Sequence, residues 1–119
     1  MSTTSTPPVT QYIDTNQLPA VKTPYGEVKP ILNDAIAGAK NVVVELRWLE
    51  PGQTFKPEVL DKHQLIYLME GQGKITLEGK DYEVSKGAGI YLGPKETATI
   101  SATKSKVKLF HITVPNKLP

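Results

Sequence analysis

The sequence predicts an all-β domain, a sandwich or barrel of short strands. From Asn41 onward the chain is a series of β-branched and aromatic runs such as "NVVVELRWLE", "QLIYLME" and "VKLFHITVP". Glycine, proline, asparagine and aspartate separate those runs at intervals of roughly 8–12 residues, the spacing of antiparallel sandwiches and barrels. No strand–helix–strand rhythm of a parallel sheet appears.

Taken in order, residues 1–10 ("MSTTSTPPVT") hold little to bury and read as a flexible tail. Residues 11–40 read as an N-terminal segment packing on the barrel. Prolines and glycines break it too often for a long helix. Extended pieces are expected around residues 12–14 and 28–32, and one helical turn over 34–38 ("DAIAG") ended by Gly38. Residues 41–115 form the main domain. Its first strand ends at Pro51-Gly52, and Glu78-Gly79-Lys80-Asp81 makes a hairpin turn after "KITL". "KSKVK" (104–108) alternates charge with Ser and Val, as the solvent side of a strand would.

The bulk properties narrow the function. At 119 residues the chain supports one core. It has no cysteine, so disulfides, thiolate metal sites and cysteine nucleophiles are excluded. Net charge is +2 and Arg47 is the single arginine, too little basic surface for a nucleic-acid partner. No apolar run is long enough to span a bilayer, and the N-terminus lacks the features of a secretory signal. A cytoplasmic protein without a membrane or nucleic-acid partner is expected.

"EPGQTF…HQLIYLMEGQGKITLEGKDYEVSKGAGIYLGP" resembles a cupin. The likeness runs from about Val42 to Val114 and is most specific over residues 67–94, where the family's central glycines and proline turn fall in order. It implies a double-stranded β-helix, or jelly-roll barrel, of the RmlC-like kind. It also implies where metal ligands usually stand: His-x-His-x-x-x-Glu in the first motif, with the glutamate three residues before the aromatic, and one histidine after the proline turn. Counting from Tyr67 and Pro94, those positions hold Glu58, Leu60, Gln64 and Ala98. Two of the four offer no donor and Gln64 offers a weak, neutral one, so no metal and no cofactor is expected.

His63 stands one residue out of register. A strand has period two, so if Gln64 points inward His63 points outward, unless a bulge rescues it. The implied function is a small-molecule-binding cupin, either a metal-independent isomerase, epimerase or lyase using acid–base residues, or a non-catalytic ligand-binding module. The alternative is a metal-dependent, dioxygenase-like enzyme with a rearranged set drawn from Glu58, His63, Gln64 and His111. Candidate catalytic residues are Glu58 as base, with His63, His111 or Tyr67 as acid. Candidate substrate-binding residues are Gln64, Arg47, Tyr91, Leu60 and Ala98, on an apolar floor that includes Ile66, Leu68, Ile90, Leu92 and Ile100. His111 lies in a strand apolar on both faces, so parity leaves open whether it packs or serves the pocket. Glu45 and Arg47 share one strand face, opposite Val44, Leu46 and Trp48. Residues 64–70 are apolar on both faces, so a homodimer is expected to cover the outer one.

Overall fold

Turn residues cut the described part of the chain into ten strands. The computed structural model describes residues 12–115; the expected tail at 1–10 lies outside them. After a 3-10 turn at Thr15–Gln17 come β1 (Val21–Thr23), β2 (Gly26–Leu32), β3 (Val43–Leu49), β4 (Thr54–Phe55) and β5 (Lys62–Glu70). Then follow β6 (Gln72–Leu77), β7 (Lys80–Ser85), β8 (Gly89–Leu92), β9 (Thr99–Ala102) and β10 (Val107–Pro115). They form two antiparallel sheets, six strands in the order β1-β2-β3-β10-β5-β8 facing four in the order β4-β9-β6-β7. This is the expected jelly roll.

Local chemistry accounts for the turns. Glu78 and Gly79 both take positive φ, 49° and 77°, giving the two-residue hairpin that matches strand twist between β6 and β7. Gly71, at φ 96°, joins β5 to β6 where a Cβ would strike the Lys106 carbonyl, so only glycine fits. Two expectations are corrected. Residues 34–38 form turns rather than a helical turn, because Ala37 and Gly38 both take left-handed φ. Residues 104–106 belong to the β9–β10 connection, and β10 starts only at Val107.

The strands bury alternate side chains. β5 buries Gln64, Ile66 and Leu68 and turns Leu65 and Tyr67 outward. Between the sheets pack Leu49, Ile66, Leu68, Ile90, Leu92, Val107 and Leu109 from one side, against Phe55, Ile75, Ile100 and Ala102 from the other. Each such large side chain contributes about 1.5–3 kcal/mol by leaving water. On the outer face of the six-stranded sheet, the Lys29 and Lys108 ammonium groups flank the Trp48 ring at 5.7 and 5.6 Å. Lys29 also donates to the Thr15 carbonyl at 2.8 Å, tying the 3-10 turn to that face. Val44 and Leu46 are buried there, while Leu65, Tyr67 and Tyr91 remain exposed.

The core fills most of the space between the sheets. A polar-lined cavity opens at one end, where β3, β5 and β10 run side by side.

Candidate ligand-binding site

β10 lies between β3 and β5, with Thr113 opposite Gln64 and His111 opposite Glu45. Directly opposed residues share a face, so Gln64, Thr113, His111, Glu45 and Arg47 all turn toward the interior. His111 Nε2 lies 2.7 Å from Gln64 Oε1, and Gln64 Nε2 donates to the Glu58 carbonyl at 3.1 Å. The second bond fixes the first. The amide NH2 is spent on Glu58, so the oxygen facing the imidazole accepts, and His111 carries its proton on Nε2. Its Nδ1 is left as an acceptor. Burial, and then the charge of Arg47, lower the His111 pKa to about 4. The imidazole is therefore neutral at neutral pH.

Arg47 is 8% exposed. Its Nη1 donates to the Tyr25 carbonyl at 3.0 Å and to Thr23 Oγ1 at 3.4 Å. Those partners sit on the β1–β2 turn, which Thr23 shapes by donating to the Gly26 carbonyl and accepting from the Tyr25 N–H. The guanidinium carbon lies 3.9 Å over the Phe55 ring, which itself meets Tyr25 and His111 edge-on. The nearest anion is Glu45, whose Oε1 is 4.0 Å from Nη2. Among the described residues nothing accepts from the buried Nε. Burial lowers the Arg47 pKa and Glu45 opposes that shift, but a guanidinium stays charged in either case.

These groups surround a cavity of about 270 Å³ at the barrel mouth. Glu45, Arg47, His111 and Thr113 form its polar wall, Tyr25, Phe55 and Leu60 its apolar wall, and Lys56, Glu58 and Lys62 its rim. A similar groove beside Trp48 and Gln53 has no buried titratable group on it.

The sequence candidates separate cleanly. Arg47, Glu58, Leu60 and His111 line the mouth, and Gln64 lies beneath it, bonded to His111. Ala98 is buried in the core cluster and does not line the mouth. His63, Tyr67 and Tyr91 do not line this cavity. His63 Nδ1 meets the Tyr91 hydroxyl at 2.7 Å and their rings stack at 5.9 Å, away from the cavity. Tyr67 is 40% exposed on the same outer face. The cause is alternation: the inward Gln64, Ile66, Ile90 and Leu92 force their neighbours out. The sequence reading missed Tyr25, Phe55, Lys56, Lys62 and Thr113 as lining residues. Thr113 alone had a signal, its place two residues beyond His111 on one strand.

The usual cupin metal does not fit this donor set. Leu60 and Ala98 bring hydrocarbon, the Gln64 amide is spent on His111 and Glu58, and His63 faces away. Among the described residues no three His, Cys, Asp or Glu side chains converge on a point. The same geometry removes His63 from the rearranged set.

A family model described as the AraC-like ligand binding domain matches residues 41–118. The chain belongs to that family. An uncharacterized protein of Methanocaldococcus jannaschii is 26% identical to this chain over 87 residues, 63% of this chain and 70% of the other. Among solved structures, an RmlC-like cupin from Shewanella frigidimarina superposes with a TM-score of 0.74 at 11% identity, covering 90% of this chain and 92% of the other. The polyketide cyclase RemF from Streptomyces resistomycificus superposes at 0.75 with 18% identity, covering 93% and 82%. At these identities the structural likeness establishes the fold, and the AraC-like domain is a cupin. No helix among the described residues is long and apolar enough to cross a membrane.

Proposed function

We propose that the domain binds a small organic molecule in the barrel mouth, as a ligand-binding module. One observation carries this reading: an otherwise apolar barrel interior places a hydrogen-bonded His111–Gln64 pair and a buried arginine around one open cavity. Buried polar groups are costly and are kept where they are paired or used. Mostly apolar walls with a few convergent polar groups are the usual form of a small-molecule site. Membership of a family of ligand-binding domains supports the same conclusion.

Binding is favoured over acid–base turnover. A general base works best with a pKa near the working pH, and the His111 pKa of about 4 makes it a weak base at neutrality. Glu58 is exposed on the rim, with its backbone carbonyl, not its carboxylate, in the hydrogen-bond network.

The test is a small-metabolite panel screened by amide chemical shifts on the full chain. Compounds that bind are expected to move the resonances of Gln64, His111 and Thr113. Thr113→Phe, which fills the cavity from its wall, is expected to abolish those shifts while leaving the fold's spectrum intact. Shifts confined to the outer face, or unchanged in Thr113→Phe, would refute the site.

The exposed outer face of β5 and β8 is, on the same reading, where two copies meet. Leu65, Tyr67 and Tyr91 are 43, 40 and 61% exposed there and form one apolar surface.

A further inference from the structure

We infer that the ligand of this mouth is a small hydroxycarboxylate, its carboxylate held by the Arg47 fork and its hydroxyl donating to His111 Nδ1. The inference rests on the reading of the mouth as a ligand site and adds the ligand's charge and its donor.

The charge follows from what Arg47 lacks. A buried guanidinium is stable only when an anion or a full set of acceptors meets it. Here Nη1 has two neutral acceptors, the Tyr25 carbonyl and the Thr23 hydroxyl. Nη2 has only Glu45, at 4.0 Å, beyond hydrogen-bond range. Nε has no acceptor among the described residues. Among the described residues the charge is thus met by the Phe55 ring face and neutral acceptors, with no anion in hydrogen-bond range. It is felt nearby, since Arg47 is one of the two causes that depress His111.

The rest of the mouth agrees in sign. Its charged lining is Arg47, Lys56 and Lys62 against Glu45 and Glu58, three positive and two negative, a net of +1 with His111 neutral. One extra positive charge suits a monoanion. A dianion such as phosphate would crowd Glu45. A planar carboxylate matches the guanidinium fork in a way that a tetrahedral or uncharged group does not.

The hydroxyl follows from the tautomer. Gln64 holds the His111 proton on Nε2, so Nδ1 offers a lone pair and no hydrogen. A carboxylate oxygen cannot satisfy it; a hydroxyl can. Phe55 and Leu60 supply an apolar wall for a short carbon body between the two polar ends.

The experiment compares matched probes on the full chain at fixed ionic strength: lactate and glycerate, the amide lactamide, the deoxy acid propionate, and inorganic phosphate. Binding is read by calorimetry and by amide shifts at Gln64, His111 and Thr113. Lactate or glycerate is expected to bind at least tenfold tighter than lactamide and severalfold tighter than propionate. Arg47→Gln is expected to erase the acid-over-amide preference, and Arg47→Lys to keep part of it. Lactamide binding as tightly as lactate would overturn the charge assignment while leaving the pocket standing. Propionate equal to lactate would overturn the hydroxyl assignment, and phosphate binding tightest would overturn the monoanion. If none of the probes, and no compound of the broader metabolite panel, shifts those three resonances, the pocket itself falls and this inference with it. The wild-type comparison does not depend on either variant folding.

Discussion

Acidifying the protein should destabilise it through one residue. His111 is 9% exposed and its pKa is held at about 4, against an ordinary value of 6.5. The unfolded chain takes up a proton as pH falls below 6.5; the folded chain does not until near 4. Stability is therefore full above about 6.5 and is lost between there and about 4. The largest loss is about 3.5 kcal/mol, from about 2.5 pH units at about 1.4 kcal/mol each, and about 2 kcal/mol of it is already gone at pH 5. Urea unfolding of the wild type and of His111→Gln at pH 7.5 and pH 5 isolates the term, because the carboxylates contribute equally to both proteins. The variant should lose less stability than the wild type by about 2 kcal/mol. Nuclear magnetic resonance of the imidazole gives a second reading that needs no variant. A His111 that titrates near 6.5, or a pH slope unchanged in His111→Gln, would refute the reasoning.

Gln64→Ala should cost about 1–3 kcal/mol in denaturant midpoint, since it strands the His111 N–H and the Glu58 carbonyl. Gln64→Glu should instead raise the His111 pKa, because a carboxylate would stand where an amide oxygen is now 2.7 Å away; an unmoved titration would contradict that contact. Ile100→Ala, at a fully buried core position, should cost about 2–5 kcal/mol in the same unfolding assay. Lys74→Ala, which removes an exposed ion pair with Asp81, should cost less than about 1 kcal/mol. Tyr67→Glu on the outer face should leave a monomer by sedimentation; a wild-type mass near 13.0 kDa at micromolar concentration would count against the self-association face.

The strands were legible because each is a short β-branched run between turn residues, and the 78–79 turn because its residues tolerate positive φ. Period two separated Gln64 from His63 and Arg47 from Trp48. The same rule places Tyr67 and Tyr91 on the outer face once Ile66 and Leu92 are inside. His111 was not decidable, because Phe110 and Ile112 are as apolar as Leu109 and only pairing with β3 and β5 sets its face. The Tyr25 carbonyl on Arg47 spans 22 residues of sequence and involves a backbone atom, which no side-chain pattern reveals. The turns at 34–38 escaped because "DAIAG" has helical propensity that its left-handed residues Ala37 and Gly38 override.

The position of β10 has a consequence for how the chain comes into being. It is the last of the described strands in sequence order and yet it sits in the middle of the larger sheet, between β3 and β5. A growing chain on the ribosome therefore carries two bare strand edges until residues 107–115 have cleared the exit tunnel, the interval in which such edges invite wrong pairing. The same late strand brings His111 and Thr113. Closure of the sheet and assembly of the mouth are one event, and no nascent intermediate short of β10 has a mouth with which to hold a ligand.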